Sequence, residues 1–300
     1  MQIETLKMFC DVVDTGSFSI AARLNHVTQS AVSQQIRALE ERYAQKLLSR
    51  SARAAVPTAA GSRLYRASKE LLLTFGGLEA GMREQAHEVG GEVTLATIYS
   101  VGLYELSPYL KSLLKRFPKV TLRLSYRRSA DVVEDVLSGS AHLGIVAYPT
   151  ARPGLTVLPL KSDDLVLVCA RSHPLSRKRR VLLADLEGER FIGFDRDIPT
   201  GKAVDGILRD AGVNVNVTME MDNVETIKQA VELGLGVSIL PRATVLGDEK
   251  RGALLTRALA DGEFTRPIGL LLKKGRFLDR AASAVVEVLS GGVGAPELER

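Results

Sequence analysis

SFSIAARLNHVTQSAVSQQIRALEERY, residues 17–43, decides the fold of the N-terminal part of the chain. Val32, Ile36, Leu39 and Tyr43 recur at i, i+4, i+7 and i+11, the spacing that lines one buried stripe of a helix. Ser30, Ser33, Gln34 and Arg37 recur at i, i+3, i+4 and i+7 on a second face, and such side chains reach base edges and phosphates in a major groove. Thr28 is placed to cap this helix, with Gln29 in its first turn, where a DNA-reading helix makes base contacts. Taken alone, a polar face reads more plainly as a solvated amphipathic helix. The preceding residues change that reading. Ser17 is placed to cap a first helix, Ala21 and Ala22 let two helices approach closely, and Asn25-His26-Val27 supplies a turn with one apolar residue to tuck inward. In that order the parts predict a helix-turn-helix.

Charge supports the same conclusion. From Arg23 to Lys69 there are nine Lys or Arg against two acids, Glu40 and Glu41, whereas from residue 70 to 300 there are 30 of each sign. A basic excess confined to one region is the electrostatic footprint of nucleic-acid binding; solubilising charge would be spread along the chain. At 300 residues the chain is too long for a lone helix-turn-helix and suits two or three domains. The apolar runs VTLAT, LVLVCA and IGLLL are far shorter than the ~20 residues of a membrane-spanning helix. The opening MQIETLKMFCDVVD reads as an acidic amphipathic helix rather than an export signal, so a cytoplasmic location with no membrane partner is expected. Cys10 and Cys169 have neither CxxC nor metal-ligand spacing and read as buried free thiols. His26, His87, His142 and His173 are widely spaced with no nucleophile motif, phosphate loop or GxGxxG segment near them, so an enzyme is not expected and no cofactor is called for.

After the reading helix, KLLSRSARAAVPTAAGSRL places Arg50 and Arg53 about a short apolar turn before a helix that begins near Thr58. This reads as a basic wing that grips the phosphate backbone or enters the minor groove, with a solvated loop as the alternative. Leu6, Phe9, Gly16, Ser17, Phe18, Ala21, Ala22, Leu24, Gln29, Ser30, Ser33, Ile36, Leu39, Glu40, Leu47, Arg50, Arg53, Thr58 and Gly61 together resemble the LysR-type transcriptional regulators. Three positions depart from that pattern: Ala44 where the family often has glycine, Leu48 where it often has phenylalanine, and Pro57 where an apolar residue usually precedes the threonine.

From residue 64, Leu64, Ser68, Leu71, Phe75, Leu78 and Met82 are spaced as a heptad seam, which predicts a helix paired with its copy in a homodimer. Ser68 spoils one seam position, and Gly76, Gly77 and Gly81 weaken the helix by about 1 kcal/mol each, so a bend or break is expected near Gly76. The resemblance implies that two reading helices then share one double-stranded promoter DNA, in a homotetramer built as a dimer of dimers.

From Glu92 strands alternate with helices: VTLAT, a helix through Leu103, Leu106, Leu110, Leu113 and Phe117, VTLRLSY, ADVVEDVLSG and HLGIVAY. Alternation with continuously apolar strands argues for a parallel sheet covered on both faces. A second unit follows, with FIGF, a helix from Thr200, TMEMD, a helix from Asn223, and VSIL before Pro241. SGSAHLGIV and ELGLGVSILP resemble segments of the same family's periplasmic-binding-protein-like effector domain, an α/β domain of two subdomains. The resemblance returns IGLLLKK and the last helix to the first subdomain, with crossovers near Leu160–Leu165 and Thr265–Ile268 as the hinge.

The expected organisation is therefore a winged helix-turn-helix at 1–58, a linker helix at 59–90 and a regulatory domain at 91–300. In the last, subdomain I takes 91–162 and 267–300 and subdomain II takes 163–266. Ligands of open α/β sheets sit beyond the carboxyl ends of strands, at helix starts. Ser100, Ser129 and Thr200 occupy such places and correspond by position to ligand-contacting sites of the family; helix capping is the plainer role for each. Lys202 is a candidate counter-charge for a polar or anionic small-molecule effector, and Tyr99, Tyr148 and Asn223 are candidate cleft walls. Arg177-Lys178-Arg179-Arg180 reads as a solvated loop. A solute-binding receptor without DNA function is the alternative reading of the C-terminal part alone.

Overall fold

The computed structural model describes residues 2–50, 55–83, 89–276 and 278–291. Three helices open the chain: α1 (Ile3–Thr15), α2 (Phe18–Leu24) and α3 (Gln29–Tyr43). Gly16, left-handed at φ 63°, ends α1, and Ser17 caps α2 by accepting the Ile20 amide at 3.3 Å. Phe9, Val12, Ala21, Val32, Ile36 and Leu39 close one core, and complete burial of a large apolar side chain contributes roughly 1.5–3 kcal/mol. Tyr43 departs from the expected stripe: it is 42 % exposed, because the last turn of α3 runs past the helices that cover Val32 and Ile36. Val27 is likewise on the surface rather than tucked inward.

The wing is a two-stranded antiparallel ribbon, β1 (Leu48–Arg50) with β2 (Ala55–Pro57). It leads into α4 (Ala59–Arg83), which is continuous through Gly76 and Gly77, contrary to the expected break. The heptad seam is divided between two duties. Leu64 and the wholly buried Ser68 pack on the chain's own N-terminal core, Ser68 lying against Cys10, so its hydroxyl is no defect in a dimer seam. Leu71, Phe75 and Leu78 remain 51, 38 and 58 % exposed. The side chain of Met82 lies outside the described residues.

The remainder is an α/β fold of two subdomains. The first comprises β3 (Gly90–Thr97), α5 (Tyr99–Tyr104), α6 (Ser107–Arg116), β4 (Lys119–Tyr126), α7 (Ser129–Leu137) and β5 (Leu143–Ala147). Pro108 at the start of α6 splits what the apolar spacing suggested was one helix, since a proline nitrogen cannot donate to the preceding turn. The 16-residue β6 (Leu155–Ala170) leads into the second subdomain: β7 (Arg190–Phe194), α8 (Pro199–Asp210), β8 (Asn216–Met221), α9 (Val224–Glu232), β9 (Ser238–Pro241), α10 (Arg242–Arg251) and β10 (Leu254–Arg257). β11 (Thr265–Lys273) returns to the first subdomain, where α11 (Arg280–Leu289) covers its sheet.

The sheet is mixed rather than wholly parallel. β3 pairs parallel with β4 and β5, but β11 is antiparallel to both β5 and β6, and β9 and β10 are antiparallel to β6. The expected hinge crossovers lie inside two paired strands, where Thr265 faces Asp164 and Ile268 faces Lys161. Leu95, Leu143, Ile145, Leu270 and Val286 fill one core, while Leu167, Ile192, Ile227 and Ile239 lie in the two cores of the other subdomain. No helix among the described residues is long and apolar enough to cross a membrane.

Candidate functional sites

The first site is built on α3. Thr28 caps it by accepting the Ala31 amide at 3.2 Å, and its hydroxyl lies 2.9 Å from that of Ser30. Gln29 donates from Nε2 to Ser33 Oγ at 2.9 Å, so its carboxamide is held one turn along the face. Thr28, Gln29, Ser30, Gln34 and Arg37 are exposed and Ser33 is half-buried, which leaves one polar face of α3 open. Arg50 is in β1, its backbone opposite Ala55; its side chain and the whole of Arg53 lie outside the described residues.

Glu40 ties this face to the wing. Its carboxylate accepts the Leu47 and Leu48 amides at 2.9 and 3.3 Å and the Lys46 ammonium at 2.7 Å. Burial alone would raise its pKa, but these donors hold it below the ordinary glutamate value. The resemblance marked Glu40 as a shared position; the amides it receives, seven and eight residues away, are visible only in the fold. Ala44 ends α3 at φ 49°, the left-handed conformation. Glycine adopts it freely and alanine at a cost of about 1 kcal/mol. Both thiols are buried, and burial drives the Cys10 pKa up to about 12 and that of Cys169 upward, so neither is a reactive thiolate.

The second site lies between the subdomains. Ser100, Ser129 and Thr200 all sit in the first turn of their helices, after the capping residues Ile98, Arg128 and Ile198, and none provides the cap hydrogen bond. Ser100 is engaged instead by Arg266, whose Nη1 donates to its Oγ at 2.9 Å. Arg266 is 1 % exposed and also donates through Nη2 to Glu105 at 2.9 Å and Asp163 at 3.3 Å, while Lys161 reaches the other Glu105 oxygen. Its Nε has no hydrogen-bond partner among the described residues. Burial lowers the Arg266 pKa against the pull of Glu105 and Asp163, and raises that of Asp163 despite Arg266, so the cluster is under-compensated on both sides. Tyr148, left-handed at φ 50°, donates to the Thr265 carbonyl at 3.3 Å and interacts electrostatically with Arg266. Tyr99 stacks on Tyr126 with ring centres 5.5 Å apart.

Ser129 follows Arg128, and Arg128 spans the cleft. Its guanidinium donates to Asp195 and Asp197 at 3.0 Å each and to Asp222 at 3.1 Å, all on the second subdomain. A second tie joins Tyr104 to Glu225 and to the buried Lys228, which donates to the tyrosine hydroxyl at 2.6 Å and to Asp248 at 2.8 Å. The α7 start bearing Ser129 is thereby held to the loop leading into α8 and Thr200. Thr200 is buried, Lys202 exposed, and Asn223 is committed to capping α9 through the Glu225 amide at 2.9 Å, so it is a cap before it is a cleft wall. Sequence reasoning names the hydroxyls and Lys202 as candidates and does not reach Arg128, Arg266 or the carboxylates that engage them. Arg266 alone left a trace, as a cation beside the apolar run IGLLL.

Comparison with known proteins identifies the two regions that carry these candidate sites. The family model "LysR substrate binding domain" matches residues 86–293, and "Bacterial regulatory helix-turn-helix protein, lysR family" matches residues 3–62. The transcriptional regulator CysL of Bacillus subtilis is 27 % identical over 248 residues, 83 % of each chain. Full-length OxyR from Pseudomonas aeruginosa shares the fold with a TM-score of 0.76 at 18 % identity, over 97 % of this chain and 94 % of its own. CbnR bound to its target DNA does so with a TM-score of 0.72 at 22 % identity, over 98 and 100 %. The helix-turn-helix match does not favour the reading as a solute receptor without DNA function. With a DNA-binding region and an effector-binding region matched on one chain, the protein belongs to the LysR family of transcriptional regulators, which are not enzymes.

Proposed function

We propose that a small polar or anionic metabolite, bound between the subdomains, sets how this regulator engages promoter DNA. The reading rests above all on Arg128, a cation beside Ser129 that bridges three carboxylates of the facing subdomain. A polar ligand that hydrogen-bonds this guanidinium displaces at least one of the three carboxylates and so changes the closure of the cleft. Ser100 and Tyr148, both in contact with Arg266, and Tyr99, Thr200, Lys202 and Asn223 are the further residues proposed to contact it. In a thermal-shift screen of small organic and inorganic anions, a binding anion is expected to lose about tenfold in affinity in Arg128→Gln. Equal affinity in that variant would remove Arg128 from ligand recognition.

On the DNA side, Gln29, Ser30, Ser33 and Gln34 read bases from the first turns of α3, with Thr28 fixing the helix start. Arg37, Arg50 and Arg53 hold the backbone or the minor groove. Gln29→Ala is expected to relax discrimination at particular base pairs by about 1–3 kcal/mol, and Arg37→Ala to weaken all sequences alike while reducing the salt slope by about one. Mobility shifts on an operator and its single-base variants at several salt concentrations check this. Identical losses on every sequence for both variants would defeat the division of roles.

The proposed units are a DNA-binding domain at 1–58, a linker helix at 59–90 and a regulatory domain at 91–300, the last split into 91–162 with 267–300 and 163–266. The exposed Leu71, Phe75 and Leu78 support pairing of α4 with its copy in a homodimer. Two dimers make the tetramer, and the protein works in the cytoplasm.

A further inference from the structure

A cavity of about 270 Å³ lies where α4 meets the first regulatory subdomain and shares no lining residue with the candidate cleft site. The end of β11 supplies Lys273 and the turn after it Lys274 and Arg276, the linker helix supplies Glu70 and Thr74, and His142 and Asp279 complete the polar lining. Three fixed cations face two acids, and both acids are already engaged. Glu70 binds Lys273 at 2.6 Å, and Asp279 caps α11 by accepting the Ala282 amide at 2.7 Å.

Arg276 is the under-served group. Among the described residues its guanidinium makes one hydrogen bond, a 3.3 Å contact to the Ala141 carbonyl. Burial pulls its pKa down against Asp279 and Glu70. A guanidinium has five donors in a planar fork that matches oxyanion geometry. His142 adds a donor: its Nδ1 accepts the Thr94 amide at 3.0 Å, so the proton of the neutral ring resides on Nε2. That ring stays neutral because burial, aided by Arg276, holds its pKa at about 4.

We propose that this cavity is a second small-molecule site, independent of the inter-subdomain cleft, which takes a compact multivalent oxyanion such as phosphate or a small polycarboxylate. The anion accepts from Arg276 and Lys274 and offsets the surplus positive charge of the lining. Because Glu70, Thr74 and Gly77 of α4 form one wall, occupancy fixes the linker helix against its own regulatory domain. This wall lies about a third of a turn from the Leu71–Phe75–Leu78 face, so the anion and a partner helix do not compete.

Isothermal titration of the full-length protein with inorganic phosphate, and separately with citrate, tests this at ionic strength fixed by potassium chloride. Saturable binding of at least one ion is expected, about tenfold weaker in Lys274→Gln and in Arg276→Gln, and unchanged in the loop variant Arg179→Gln. On the wild type, the ligand is expected to shift the His142 ring resonances, which keeps the test open should Arg276→Gln fold poorly. Absence of saturable binding, or wild-type affinity in both cavity variants, overturns the proposal. Loss in Ser129→Ala alone overturns it too, by placing the anion in the cleft and leaving the cleft reading intact.

Discussion

Arg266→Met is expected to destabilise the regulatory domain by about 3–5 kcal/mol, the cost of removing one partner from a buried ion cluster and leaving the other charges uncompensated. Arg266 is 1 % exposed and Glu105 4 %, and the guanidinium serves Glu105, Asp163 and Ser100 at once. Arginine does not lose its proton at accessible pH, so burial cannot be relieved by neutralising it and the carboxylates must compensate. Without it, Glu105 keeps only Lys161 and Asp163 keeps the Ala243 amide, and both carboxylates sit where β6 and β11 cross between the subdomains. Thermal unfolding of the full-length protein measures the effect. For a domain of this size each kcal/mol moves the midpoint by roughly 2–4 °C, so a shift of about 6–20 °C follows. Glu105→Met added to Arg266→Met is expected to restore part of the loss, since an apolar pair suits the site better than an orphaned carboxylate. A single variant within 1 kcal/mol of wild type would mean that water already screens the cluster.

The same cluster marks where sequence reading stops. The helix-turn-helix was legible because its information is local: Val32, Ile36 and Leu39 repeat within eight residues, and Thr28 and Ser17 sit beside the helices they cap. The hydroxyls of Ser100, Ser129 and Thr200 were legible as helix starts after strands. Their electrostatic setting was not, because Arg266 meets Ser100, Glu105 and Asp163 across 166, 161 and 103 positions, and Arg128 meets Asp222 across 94. Strand direction was illegible for a related reason. A strand segment buried on both faces is apolar whether its neighbour runs parallel or antiparallel, so the run Ile268–Leu272 of β11 carries no mark of its antiparallel pairing with β5 and β6. The heptad of α4 was misread in part because an apolar seam does not state its partner. Its first half met the chain's own α1, and its second half was left exposed.

Gly61→Ala is expected to cost the N-terminal domain about 3 kcal/mol and to weaken operator binding, though residue 61 lies outside the proposed reading face. A Cβ at Gly61 would lie 1.9 Å from the Leu47 carbonyl oxygen and 2.9 Å from its carbon. The obstacle is backbone, so no rotamer change relieves it. The Leu47 carbonyl accepts the Thr58 amide at 2.9 Å, and Leu48, next in the chain, begins the wing ribbon. Either the start of α4 moves away or the wing moves with Leu47, and the second displaces Arg50 from the groove edge that α3 defines. Gly76→Ala in the same helix is the matched control. No atom lies within 4 Å of its added Cβ, so alanine there is expected to stabilise the helix by about 1 kcal/mol through propensity alone. Opposite signs from one substitution, read by thermal unfolding and DNA mobility shift, separate close approach from helix propensity. If both variants gained stability, the contact between α4 and residue 47 would not be what holds the wing in place.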